Sequence, residues 1–194
     1  QMREMEELMG QKWIDGKPFG KSPESNEKSL YDIICEWLFR TPIQGSVVNL
    51  DSDKEEVESF IDDYIAAFKK QYSGDDSDVK AFFEGDWNLR RRRAGLLFIE
   101  SYRSLPLLSW PRKLISKLIE LEQAMVLWRS SHARMVERMI GRKIGTGGSA
   151  GVDYLDMTTK FRVFIDLWLV RSILVKKERL PSLKSPEFYE FRGD

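Results

Sequence analysis

Three features of the chain could do chemistry. There is one histidine, His132, inside the apolar helical stretch WRSSHARMVERMI. There is one cysteine, Cys35, far from it in sequence. Directly after the histidine stretch comes GTGGSAG at 145–151, four glycines in seven residues. A neutral imidazole has one nitrogen free to accept or to ligate and one N–H that needs a partner. Glycines allow positive φ and a close approach of backbone to a bound molecule.

Several chemistries are excluded by count and spacing. A zinc site needs three or four His, Cys or carboxylate ligands, and one His with one distant Cys cannot supply them. A nucleophile–base pair is unsupported, because Ser130 and Ser131 precede His132 directly in the helix and do not face it. The glycine cluster lacks the Gly-Lys-Ser/Thr ending of a phosphate-binding loop. One metal centre needs a single protein ligand: haem iron with a proximal histidine. Trp128, Met135, Val136 and Met139 lie about one turn either side of His132 and could pack on a porphyrin face, as helix bundles build cofactor sites. The plain alternative is a core histidine, hydrogen-bonded to a carbonyl or an acid, within an ordinary core stripe.

These residues need a long helix to hold them. The spacing predicts one over about 112–140, with Leu114, Leu118, Leu121, Met125, Trp128, His132, Met135 and Met139 recurring every four or three residues as one core-facing seam. Gly141 is placed to cap its C-terminus. Earlier helices are expected over about 30–40, capped by Ser29 or Asn26, and from Asp51 or Ser52 onward. The first has Leu30, Ile33, Ile34, Trp37 and Leu38 inward. The second has Val57, Phe60, Ile61, Tyr64, Ile65 and Phe68 inward, and SGDDSD ends it. A helix over about 87–104 follows, separated from the long one by Pro106 and Pro111. A last helix is expected over about 158–176, with Phe161, Phe164, Ile165, Trp168 and Leu169 inward. The opening QMREMEELMG reads as the end of a helix, residues 11–27 as a connection, and the stretch after Pro181 as irregular. No strand is expected. The fold class is all-α, a bundle of long helices in one domain over 1–194.

Composition agrees with that class. The 194 residues are 42% hydrophobic and 32% charged, enough for one domain with a real core. Lys+Arg and Asp+Glu are 31 each, so no global basic field for nucleic acid exists. Arg90–Arg93 are a local exception, read as a solvated helix face or as ion-pair partners rather than an anion site. No apolar run reaches the length of a membrane span, and no signal peptide is visible. A lone Cys35 among Ile33, Ile34, Trp37 and Leu38 is expected to be a buried, inert thiol in a reducing compartment.

The stretch WRSSHARMVERMIGRKIGTGGSAGVDYL resembles the signature of tryptophan 2,3-dioxygenases. That signature is a Trp-Arg pair, a haem-ligating histidine, a Met-Val-x-Arg-x-Ile-Gly run and Gly-Thr-Gly-Gly-Ser-Ser-Gly. SLYDIICEWLFRTP, RRRRAGLLFIESYRSLPLLSWP and FRVFIDLWLVRSILVKKERLP resemble further family segments in the right order, so the likeness spans roughly 28–183. It implies an all-α haem-binding dioxygenase fold, haem b as cofactor, a cytoplasmic homotetramer, and opening of the indole ring of L-tryptophan by O₂ to N-formyl-L-kynurenine, in the kynurenine pathway. Carried onto this chain, His132 would be the iron ligand, and Trp128, Met135, Val136 and Met139 the haem pocket. Thr146 would sit at the substrate's ammonium group, with Gly147 in the same substrate-binding loop. Two positions depart from the pattern: Ala150 replaces a serine, and Val152 stands where a tyrosine is common. The family's distal histidine and carboxylate-gripping arginine belong to a region with no counterpart here. The chain therefore reads as the C-terminal part of a longer dioxygenase, paired with that region, and no residue is assigned as a distal base. Two other functions fit less of the sequence: a related haem monooxygenase or hydroxylase on a modified aromatic amino acid, and a non-catalytic helical assembly module.

Overall fold

The structure, a computed structural model, describes residues 2–14, 17–19, 28–46, 48, 51–141 and 152–190. Its helices are α1 (Met2–Met9), α2 (Leu30–Phe39), α3 (Asp51–Gln71), α4 (Ser77–Phe82), α5 (Trp87–Ser101), α6 (Pro106–Ile140), α7 (Val152–Thr158) and α8 (Ile165–Leu169). The class is all-α, as the periodicity predicts. A short antiparallel hairpin, β1 (Lys12–Ile14) with β2 (Lys17–Phe19), corrects the expectation of no strand; Lys12 pairs with Phe19 and Ile14 with Lys17. The Asp15-Gly16 pair between them is a hairpin signal that the reading of 11–27 as a connection passed over. No helix among the described residues is long and apolar enough to cross a membrane.

The described residues group into two units, one from Gln1–Glu27 with Ser116–Phe164 and one from Lys28–Ile115 with Ile165–Asp194. Residues 106–115 of α6 belong to the second and 116–140 to the first.

In the second unit, local signals set the helix starts. Ser29 caps α2 through a reciprocal capping box with Asp32, and Asp86 caps α5 by accepting the Leu89 N–H. The alternative cap Asn26 and the cap of α3 at Asp51 or Ser52 lie outside the described side chains. Val57, Phe60, Ile61, Tyr64 and Phe68 of α3 are buried as predicted, and Ile34 and Leu38 of α2 likewise, but Ile33 is exposed. Phe98 of α5 stands between Phe60, Tyr102 and Tyr189, its ring centroid 4.7–5.5 Å from theirs. Gly95 brings α5 onto α2: a Cβ there would sit 2.3 Å from the Leu38 carbonyl oxygen.

Arg90, Arg91 and Arg93 are ion-pair partners, and the run is not a solvated face. Arg91 is fully buried, donates from Nε and Nη2 to Asp53 and reaches the Thr41 carbonyl at 2.9 Å. Arg90 pairs with Glu58 and Arg93 with Asp166, while Arg92 donates to the Tyr31 hydroxyl at 3.2 Å. Cys35 is half-buried rather than buried as expected, and burial pushes its thiol up.

Two helix boundaries differ from expectation. Pro106 and Pro111 do not precede α6 but lie within it. Pro106 occupies the first helical position, where no N–H is needed. Pro111 removes only the bond to Leu107, which lies on an exposed turn. The helix expected over 158–176 is instead two pieces, α7 ending at Thr158 and α8 starting at Ile165, the latter running on as a 3₁₀ turn over Val170–Ile173. Leu167, Val170 and Ile173 take the buried positions, and Ile165 and Leu169 are exposed. Among the described residues the tail holds 3₁₀ turns at Lys177–Arg179 and Pro186–Tyr189.

Candidate functional site

The site is built on the part of α6 within the first unit. Leu118, Ile119, Glu122, Met125, Arg129 and Ala133 are its buried positions. The seam expected from spacing shares Leu118 and Met125 with these, and elsewhere lies one residue away, which is about 100° around the helix. Its second half is open: Trp128 is 44% exposed, Met135 50% and Met139 74%, with Leu121, Leu127 and Ile140 exposed too. Leu118 and Met125 are covered as expected, but from Trp128 onward the seam is not core-facing, which corrects the expectation for that half. The stripe that is covered carries two charged residues, so apolar spacing alone scored the neighbouring stripe higher.

His132 sits half-buried in this open stripe. Its ring stacks on that of Trp128, one turn earlier, with centroids 5.1 Å apart and planes 6° from parallel. The indole thus fixes the plane of the imidazole. Among the described residues the ring makes no hydrogen bond or ion pair, so the bland role of a core histidine tied to a carbonyl or an acid finds no partner there. Val136 is half-buried beside it. Ser130, Ser131, Arg134, Met135, Arg138 and Met139 line an open cavity of about 620 Å³, to which His132, Trp128 and Val136 do not contribute. No group of three His, Cys, Asp or Glu among the described residues could hold a metal ion by protein ligands alone. Gly141 ends α6 at φ +65°, its N–H on the Glu137 carbonyl at 2.9 Å, the capping role predicted for it. Thr146, Gly147 and Ala150 lie outside the described residues. Val152, at the start of α7, is buried.

The neighbouring, covered stripe holds residues that spacing did not single out. Arg129 donates from Nε and Nη2 to Glu6 Oε1 of α1 at 3.0 and 2.8 Å. Its Nη1 donates to the carbonyls of Thr158 and Phe161 at 3.2 and 3.1 Å. Glu122 accepts the N–H groups of Val163 and Phe164. Arg134 pairs with Asp156 of α7. A charged residue every seventh position, at 122 and 129, in register with the apolar Ile115, is the one sequence signal that could have found them.

The fold and site thus define an all-α protein that presents an imidazole, without a polar partner among the described residues, on an open apolar helix face. Comparison with known proteins narrows the class. The family model described as Tryptophan 2,3-dioxygenase matches residues 20–174. The "Tryptophan 2,3-dioxygenase-like protein" of Xanthomonas campestris pv. campestris is 42% identical over 84% of this chain and 71% of its own length. "Tryptophan 2,3-dioxygenase 2" of Ralstonia nicotianae is 39% identical over 87% of this chain and 54% of its own length. "Tryptophan 2,3-dioxygenase" of Sorangium cellulosum is 40% identical over 84% and 47%. The chain spans about half the length of these last two relatives. The chain belongs to the tryptophan 2,3-dioxygenase family, a family of oxidoreductases.

Proposed function

We propose that this chain carries the proximal side of a haem-dependent dioxygenase that opens the indole ring of L-tryptophan with O₂, giving N-formyl-L-kynurenine. The observation that carries this reading is the open apolar face around His132. Burying Trp128, Met135 and Met139 against a ligand removes apolar surface from water, at about 25 cal/mol per Å². A flat, mostly apolar group with one site for a nitrogen ligand matches a surface of that composition. The residues present fit haem b on that ground: one imidazole, held in plane by an indole, amid side chains that a porphyrin can cover.

When bound, haem would supply the iron on which O₂ is activated and electrons are exchanged. The chain's own residues would do the rest. His132 would hold the iron from one side. Trp128, Met135, Val136 and Met139 would exclude water from the group's face. Thr146 and Gly147 would meet the amino-acid end of tryptophan, with Thr146 at its ammonium group. Ala150 offers no hydroxyl there, so selection at this end falls more heavily on Thr146. We assign the distal base and the carboxylate clamp to no residue of this sequence. We also assign the assembly as a cytoplasmic homotetramer, working in tryptophan catabolism by the kynurenine pathway.

The test is the visible absorption spectrum of the protein, oxidised and then reduced under CO, beside His132→Ala. The expected outcome is a Soret band in the native protein that is lost or shifted in the variant. An unchanged spectrum in the variant would remove His132 as the ligand. Product analysis with L-tryptophan and O₂ then separates ring opening from hydroxylation.

A further inference from the structure

We propose that Glu122 and Arg129 are positioning residues: a buried two-point clamp that holds residues 158–164, and with them α7, whose first residue follows the glycine-rich stretch in sequence, at a fixed place relative to His132. The inference rests on the dioxygenase reading for its link to substrate, and on geometry for the clamp itself.

The chain between α7 and α8 leaves the helical ladder, so its backbone groups need other partners. Four of them find partners on α6. The carbonyls of Thr158 and Phe161 accept from Arg129, and the N–H groups of Val163 and Phe164 donate to Glu122. Both side chains are buried, Glu122 to 2% exposure and Arg129 to 6%. A buried guanidinium persists only with compensation, and Glu6 of α1 supplies it. The sign of each charge suits its task. The cation meets carbonyls at the C-terminal end of α7, and the anion meets N–H groups just before α8, as helix ends and capping geometry favour.

Seven residues separate the two grips, a span of about 10 Å along α6. Two directional contacts that far apart fix both the position and the angle of the segment, which an apolar contact does not. Arg129 precedes His132 by three residues, less than one turn. The helix that presents the imidazole therefore also anchors α7, whose first residue, Val152, follows directly on the stretch that holds Thr146 and Gly147. A small slip of α7 along α6 would move Val152, the residue next after that stretch in sequence, while leaving His132 where it is.

The experiment compares Glu122→Leu, Glu122→Gln and Arg129→Lys in the full chain. Backbone hydrogen exchange over 158–164 reports the clamp. The Soret band reports His132, and the KM and kcat for L-tryptophan report the substrate stretch. Clamping predicts that Glu122→Leu and Arg129→Lys each speed exchange of these amides about tenfold. It predicts a KM raised about fivefold with the Soret band unmoved and kcat within about twofold. Glu122→Gln, which keeps an accepting oxygen, should restore most of both. If Glu122→Leu does not fold, Arg129→Lys decides. Unchanged exchange would overturn the clamp. Raised exchange with an unchanged KM would overturn the positioning role. Absence of a Soret band and of turnover in the native protein would instead sink the dioxygenase reading, and exchange alone would then judge the clamp.

Discussion

Trp128 and His132 show what one residue does for another on a helix face. The stacked indole restricts rotation of the imidazole about its own axis. Aromatic pairs of this kind are worth about 0.5–1.5 kcal/mol beyond the area they bury. Trp128→Leu should therefore weaken haem binding by about threefold to tenfold while leaving the Soret maximum in place. Haem titration of the two proteins checks it; an unaltered affinity would mean the stack contributes nothing. His132 was legible as a residue because it alone breaks an apolar four-and-three pattern with a titratable ring. Its openness was not legible. Whether a stripe faces a core or a ligand depends on what covers it, and spacing carries no information about the cover. Glu122 and Arg129 were invisible for a related reason: charged side chains score as surface until their partners are seen.

At the scale of elements, α5 is where the second unit concentrates its constraints. Arg91 and Asp53 form a buried pair, with Asp53 also accepting from the Ser46 hydroxyl at 2.8 Å. Replacing Asp53 by Ala strands the guanidinium in the interior, and the expected loss is about 3–5 kcal/mol of unfolding free energy. Chemical denaturation measures it; a loss below about 1 kcal/mol would mean that Arg91 finds a new partner. Gly95→Ala forces a methyl against the Leu38 carbonyl, a backbone atom that cannot turn away. A cost of about 1–3 kcal/mol, read from the same denaturation curves, is expected, and a neutral result would show that α2 can draw back. The sequence made α2, α3 and α5 legible because each start and face is decided locally, by Ser29, by the Val57–Phe68 spacing and by Asp86. It concealed the break between α7 and α8. That break is stabilised by Glu122, 41 residues from Val163, and a window of helical periodicity cannot contain both. The short helix α4 was hidden in the same way by the polar run SGDDSD, whose last residues begin it.

For the molecule as a whole, buried phenols set an alkaline limit. Burial pushes Tyr31 and Tyr189 up to about 12 and raises Tyr64 and Tyr102 as well. An unfolded phenol ionises near pH 10. Between about pH 10 and 12 the unfolded state therefore holds fewer protons than the folded one, and stability falls as pH rises. The contribution is fully present below about pH 10 and is lost as pH climbs through the folded values. Unfolding free energies measured from about pH 8 to 11, with tyrosinate absorbance followed in parallel, should show the decline, and ionisation should track unfolding. A flat profile with early tyrosinate absorbance would show that these hydroxyls are open to solvent. Each has a structural task that ionisation would end: Tyr189 donates to the Pro42 carbonyl and accepts the Gly45 N–H, and Tyr102 donates to the Pro181 carbonyl.

The grip of α6 on residues 158–164 has an evolutionary corollary. Glu122 and Arg129 recognise the main chain, which every amino acid shares. Side chains at 159–162 can therefore drift without disturbing the anchor, and a relative could exchange that stretch wholesale. Proline is the exception at 163 and 164, because it has no N–H to give. At 163 the main-chain contact bars only that residue, at 164 the buried Phe ring adds a demand of its own, and positions 122 and 129 are held to a carboxylate or amide and a guanidinium.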